Sequence, residues 1–124
     1  MKQIFFIAAI SLLIGMANAQ TSFSNDADVI TYMKDKTFIN SDIGVELQYG
    51  YTSENNAYGI TLKGIKSGNK LFYFNCTIKA YGSFADISGI NVTDGSIFQF
   101  RLYKNKIIVG IGEEKQAIFY LKQD

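Results

Sequence analysis

The chain has 124 residues, with 12 Lys and Arg against 11 Asp and Glu, a hydrophobic share of 48%, ten Phe and eight Tyr. One cysteine and no histidine, tryptophan or proline exclude an internal disulfide, an imidazole acid–base catalyst and a histidine metal ligand. Near-balanced charge with Arg101 as the sole arginine supplies no basic stripe, so no nucleic-acid partner is expected.

Residues 1–19 have the layout of a secretory signal peptide. Lys2 is the positive start, the run from Ile4 to Ile14 is broken only by Ser11, and Ala17-Asn18-Ala19 is a small-x-small cleavage site before Gln20. The run is too short for a membrane span, which needs about 20 apolar residues. The expected product is a single secreted or periplasmic β domain, residues 20–124, with no membrane span and a net charge near zero once Lys2 is removed.

Residues 25–36 carry the pattern of one short helix. Asn25 can cap it, Asp26 and Asp28 sit in the first turn, Lys34 and Lys36 in the last, and Val29, Tyr32 and Met33 form one apolar stripe. From 43 onward the period changes to two. Strands are expected over 43–51, 57–65, 70–80, 85–92, 96–103, 106–111 and 116–122, with an eighth short piece at 37–39. Turn clusters separate them, among them Ser67-Gly68-Asn69, Asp94-Gly95 and Lys104-Asn105. The run KLFYFNCTIKA, 70–80, is apolar on both faces and reads as the central strand.

Paired residues in a hairpin share a face, so loop lengths test whether one face stays buried throughout. Two-residue loops at Asp94-Gly95 and Lys104-Asn105 pair Ile87 with Leu102 and Leu102 with Ile107. A three-residue loop ending at a left-handed Gly68 pairs Leu62 with Phe72. Longer loops pair Leu47 with Leu62, Ile78 with Ile87, and Val109 with Ile118. The expected fold is mainly β, an up-and-down antiparallel meander of seven or eight strands curled into a small barrel or half-barrel behind one N-terminal helix. An open twisted sheet around the helix is the rival. The layout resembles the small secreted up-and-down barrels, such as lipocalins and avidins, in architecture alone, since a chain without tryptophan has the tryptophan motifs of neither.

The interior then gathers Tyr49, Tyr58, Phe72, Phe74, Phe98 and Phe100, candidates to line a pocket for a small apolar ligand. Ile118 and Tyr120 share that face. The outer face is mostly polar, with Glu46 opposite Lys63, yet Tyr73, Tyr103 and Phe119 point outward beside Arg101, candidates to meet a protein partner. Outward Tyr73, Tyr81 and Tyr103 would also suit stacking on a sugar.

Cys76, between Phe74 and Ile78, reads as an inert core thiol. Asp26-Ala27-Asp28 and Glu113-Glu114 are solvated acidic groups and too few for a calcium loop, so no metal is expected. Glu46 and Asp86 could in principle form a carboxylate pair, but no nucleophile–base set is visible. Gly110-Ile111-Gly112 ends a strand and precedes no helix, so it is no phosphate cradle. Asn75-Cys76-Thr77 and Asn91-Val92-Thr93 match the glycosylation sequon, which matters only on a eukaryotic secretory path. An outer-membrane barrel is rejected, because the outward face carries Glu46, Lys63, Lys79 and Arg101.

The expectation is a non-enzymatic binding module for a small apolar molecule or a protein, without cofactor. A structural or adhesive envelope protein acting by self-association is the alternative, and a small hydrolase ranks third.

Overall fold

A computed structural model describes residues 23–123; the expected signal peptide and its cleavage point lie outside them. The elements are helix α1 (Asp26–Met33) and strands β1 (Phe38–Asn40), β2 (Val45–Thr52), β3 (Ala57–Gly64), β4 (Lys70–Ala80), β5 (Ala85–Asn91), β6 (Ile97–Leu102), β7 (Lys106–Val109) and β8 (Ala117–Leu121). Each strand pairs antiparallel with its sequence neighbour, and β8 pairs with β1 to close an eight-stranded barrel. The meander and the eighth strand are as expected, and the closed barrel displaces the open sheet. Closure removes the two free edges that a flat meander of this length would expose.

The helix starts where Asn25 caps it: its Oδ1 accepts the Asp28 N–H at 3.0 Å, and Asp28 Oδ2 accepts the Ser24 N–H at 2.9 Å. It ends three residues earlier than the charge pattern suggested, at Met33, with Asp35 left-handed just beyond. Val29 and Met33 are buried in one cluster with the barrel-lining Phe38, Leu47, Ile60, Ile87, Leu102 and Ile107. The helix packs against β2 and β4. Phe23, ahead of it, is stitched to Gly82 in the β4–β5 turn by backbone bonds of 2.7 and 2.8 Å. The N-terminal segment thus joins the barrel's own core.

Four of the expected pairings hold: Leu47 faces Leu62, Ile78 faces Ile87, Leu102 faces Ile107, and Glu46 faces Lys63. Glu46, however, forms its ion pair with Lys122 at 3.8 Å. The β5–β6 loop has four residues between Asn91 and Ser96, not two, and the slip of two keeps Ile87 on the same face as Phe100. The Asn91 side chain explains the length, since its Oδ1 accepts the N–H groups of both Thr93 and Asp94.

Two junctions break the expected parity. Gly64 N–H bonds to the Asn69 carbonyl, so the β3–β4 loop has four residues and Leu62 faces Leu71. Tyr73 therefore points inward beside Ile60, whereas Phe72 and Phe74 lie on the outer face opposite Thr61 and Gly59. A bulge between Phe74 and Thr77, with Asn75 at φ 56°, inserts one extra residue and returns Cys76 and Ile78 to the interior. Phe74 and Phe100 consequently stand on opposite sides of the sheet, and the barrel survives because the bulge absorbs the slip. At the other junction the β7–β8 turn closes Val109 on Ala117, so Phe119 and Leu121 enter the core while Ile118 and Tyr120 face out.

Candidate functional site

The barrel wall is incompletely laddered along β6. β6 is paired with β5 along its whole length, but with β7 only at Arg101 and Leu102. The cause lies in β7, which stops at Val109 because Gly110 turns to φ 89°. A Cβ on Gly110 would stand 2.6 Å from the Lys115 carbonyl oxygen, so only glycine lets the loop fold back this tightly. The Glu113 N–H bonds to the Gly110 carbonyl at 2.9 Å and completes the turn.

Between the unpaired half of β6 and this loop lies an open cleft of about 1040 Å³. Phe98, Phe100, Val109 and Ala117 reach it from the interior side, and Ile97, Gln99, Arg101 and Ile108 from the outer side. Ile111, Glu113 and Lys115 form the loop wall, and Thr77, Lys79, Asp86 and Ser88 extend the floor over β4 and β5. Ile97 is 70% exposed, the most open of the large apolar side chains described.

Arg101 is held rigidly at the cleft edge. Its Nε and Nη2 donate to Asp86 Oδ1 and Oδ2 at 2.8 and 3.1 Å, and its guanidinium lies over the Phe84 ring, 4.2 Å from the centroid. The Asp86 hydrogen bonds push the guanidinium pKa further up, so the charge is permanent. Phe84 in turn packs against Tyr81 and Tyr103, at 5.1 and 5.9 Å between centroids. A ledge of three rings and one fixed cation results, and Phe84 is the member that the sequence pattern did not single out.

Of the interior candidates, Phe100 is buried, and Tyr49 and Phe98 are half-buried against the core. Phe72 and Phe74 lie outside, for the reason given above, and Tyr58 is 61% exposed where the β2–β3 hairpin runs past its neighbours, edge-on to Tyr51 at 5.5 Å. Of the outer-face candidates, Arg101 and Tyr103 come together. Tyr73 and Phe119 do not: both are core residues, with Tyr73 packed on Phe98 at 5.2 Å between centroids. A second cleft, of about 530 Å³, separates the β2–β3 turn from the start of β4, where Glu54 meets Lys70 at 4.0 Å.

Cys76 points inward, its Sγ 3.7 Å from the Tyr73 carbonyl, and burial pushes the thiol pKa up. That is the opposite of what a nucleophilic thiol needs. Glu46 and Asp86 stand on β2 and β5, each beside its own cation. Among the described residues no group of three or more Cys, Asp or Glu could hold a metal ion, and no helix is long and apolar enough to cross a membrane. Comparison with protein-family models, curated proteins and solved structures found no match.

Proposed function

We propose that this protein is a secreted, non-enzymatic binding module whose ligand occupies the cleft beside β6 and not the barrel interior. One observation carries the reading: an open cleft of about 1040 Å³ in which apolar Ile97, Phe98, Phe100, Ile108 and Ile111 stand among polar and charged side chains, Arg101 and Asp86 fixed on each other. Apolar contact surface beside polar groups held in fixed positions is what a recognition site requires. The barrel interior, by contrast, is filled by its own side chains, with Phe38, Leu47, Ile60, Leu102 and Ile107 at zero exposure. The arrangement around Cys76 and Asp86 favours binding over catalysis, because the thiol is held neutral and the carboxylate is engaged by Arg101. Secretion rests on the sequence pattern of residues 1–19.

The test uses an environment-sensitive apolar dye, anilinonaphthalene sulfonate. The mature protein should bind it saturably, and Ile97→Asp should weaken binding without moving the thermal midpoint, since Ile97 supports no core contact. Equal dye binding by Ile97→Asp would remove the cleft from consideration. Expression with the leader intact should release a chain beginning at Gln20; a retained full-length chain would count against secretion.

Self-association is the second reading, favoured by one row across the outer face: Phe74, Ile90 and Ile97 are adjacent in register. A sedimentation coefficient that stays constant over a wide concentration range would dispose of it.

A further inference from the structure

We infer that the unpaired half of β6 receives an extended peptide strand from a partner protein, bonded by the backbone of Ile97 and Gln99. The inference deepens the cleft reading and rests on it.

In an antiparallel pair, residues alternate between those that bond their partner and those whose N–H and C=O point to the opposite side. The Asn91 N–H bonds to the Ser96 carbonyl, so in β5–β6 the bonded residues on β6 are Ser96, Phe98, Phe100 and Leu102. The Tyr103 N–H bonds to the Lys106 carbonyl, so in β6–β7 the bonded residues are Tyr103 and Arg101. The two anchors agree: Ile97, Gln99 and Arg101 aim their backbone groups toward β7. Arg101 finds Ile108 there. Opposite Gln99 the chain has already turned away at Gly110, and among the described residues nothing bonds Ile97 or Gln99 on that side.

Two donor–acceptor pairs, one β-repeat apart, therefore face into the cleft. That spacing is the amide spacing of an extended peptide, which can pair all four groups at once, as an apolar molecule cannot. The β7–β8 loop lines the far side of the cleft, so a strand added to β6 would lie between β6 and that loop. The incoming strand would alternate, with an apolar side chain opposite Phe98 turned toward Val109 and Ala117, and polar neighbours outward beside Gln99 and Arg101. This is recognition by strand addition, in which backbone bonds give affinity and alternate side chains give selectivity.

Amide exchange of the mature protein tests it directly. In the free protein the Ile97 and Gln99 amides should exchange fast, whereas Phe98 and Phe100, bonded to β5, should be slow. A capped heptapeptide of alternating valine and threonine should slow Ile97 and Gln99 by about tenfold or more, the worth of one or two hydrogen bonds. The same peptide N-methylated at alternate residues should not. Gln99→Pro deletes an N–H that the β5 ladder does not use and should weaken peptide binding by about tenfold with the fold retained. If that variant fails to fold, the N-methylated peptide decides alone.

A slow Gln99 amide in the free protein, equal binding of the N-methylated peptide, or protection that grows with protein concentration in the absence of peptide would each overturn the inference. Dye displaced by Ile97→Asp, together with a peptide that never protects Gln99, overturns strand addition and leaves the cleft reading standing. Dye indifferent to Ile97→Asp removes both.

Discussion

The Phe72 ring is packed against Gly59: a Cβ on that glycine would stand 2.7 Å from Phe72 Cζ and would collide with the Tyr73 carbonyl oxygen. An aromatic side chain placed over a strand glycine covers backbone that the missing side chain would leave open. Phe72, although on the outer face, is thereby only 5% exposed. Gly59→Ala should cost at least about 2 kcal/mol, since the collision is with backbone and cannot be relieved by a rotamer change. Gly50, the cross-strand partner of Gly59 on β2, has nothing within 4 Å of the same position. Gly50→Ala should stay within about 0.5 kcal/mol of the parent. Urea unfolding of the two variants checks the contrast, and equal effects would contradict it.

Asn75 carries the bulge that restores the interior phase of β4, at φ 56°. Asparagine tolerates this left-handed region and glycine accepts it freely, while a β-branched residue does not. Asn75→Gly should therefore leave stability unchanged to within about 0.5 kcal/mol, whereas Asn75→Val should lose about 1–2 kcal/mol. Thermal or urea midpoints distinguish the two, and a neutral Asn75→Val would show that the bulge does not need this residue's conformation.

Burial raises the pKa of the Cys76 thiol above its ordinary 9.0, and burial likewise raises Tyr49 above 10.0, with Cys76 and Tyr58 adding to the effect. In each case the folded state holds its proton more tightly than the unfolded chain. Below the unfolded value both states are protonated and the full stability is present; above it the unfolded chain ionises first and stability falls until the folded value is passed. Stability should thus be level from neutrality to about pH 8 and decline beyond about pH 9. Cys76→Ala should lack the first part of the decline. An alkaline limb identical in both proteins would refute the role of the thiol. Alkylation of Cys76 by iodoacetamide should also be slow in the folded protein and rapid in urea.

The helix cap offers a fourth check. Asn25→Ala removes the acceptor for the Asp28 N–H and should cost about 1 kcal/mol. Because Val29 and Met33 belong to the barrel core, the loss should appear in global unfolding and not as local fraying of α1. A helix that melts ahead of the barrel by circular dichroism would separate the two.

Much of the scaffold was legible from the residues. The switch from the 25–36 pattern to period two located α1 and the strands, and Asn25 was recognisable as the cap. The Lys104-Asn105 turn set the β6–β7 register correctly, whereas Asp94-Gly95, read as equally short, opens to four residues around the Asn91 side chain. The phase of β4 was not legible. Phe72, Tyr73 and Phe74 are all apolar, so either parity satisfies the pattern, and the left-handed Asn75 reads as an ordinary strand residue. The phase of β8 was hidden in the same way, since Ile118, Phe119, Tyr120 and Leu121 are large on both faces. Of the site, Arg101 and Tyr103 were visible, while Phe84 stood in a turn with no periodicity to mark it.

Local chemistry alone determined that residues 23–123 form one helix and a ladder of antiparallel strands without disulfide, histidine or tryptophan, because turn residues and alternation act over a few neighbours at a time. Tertiary structure decided which aromatic rings turn inward and where β6 loses its neighbour. Those outcomes depend on one extra residue at Asn75 and one early turn at Gly110, and each takes effect only when a distant strand must be met in register.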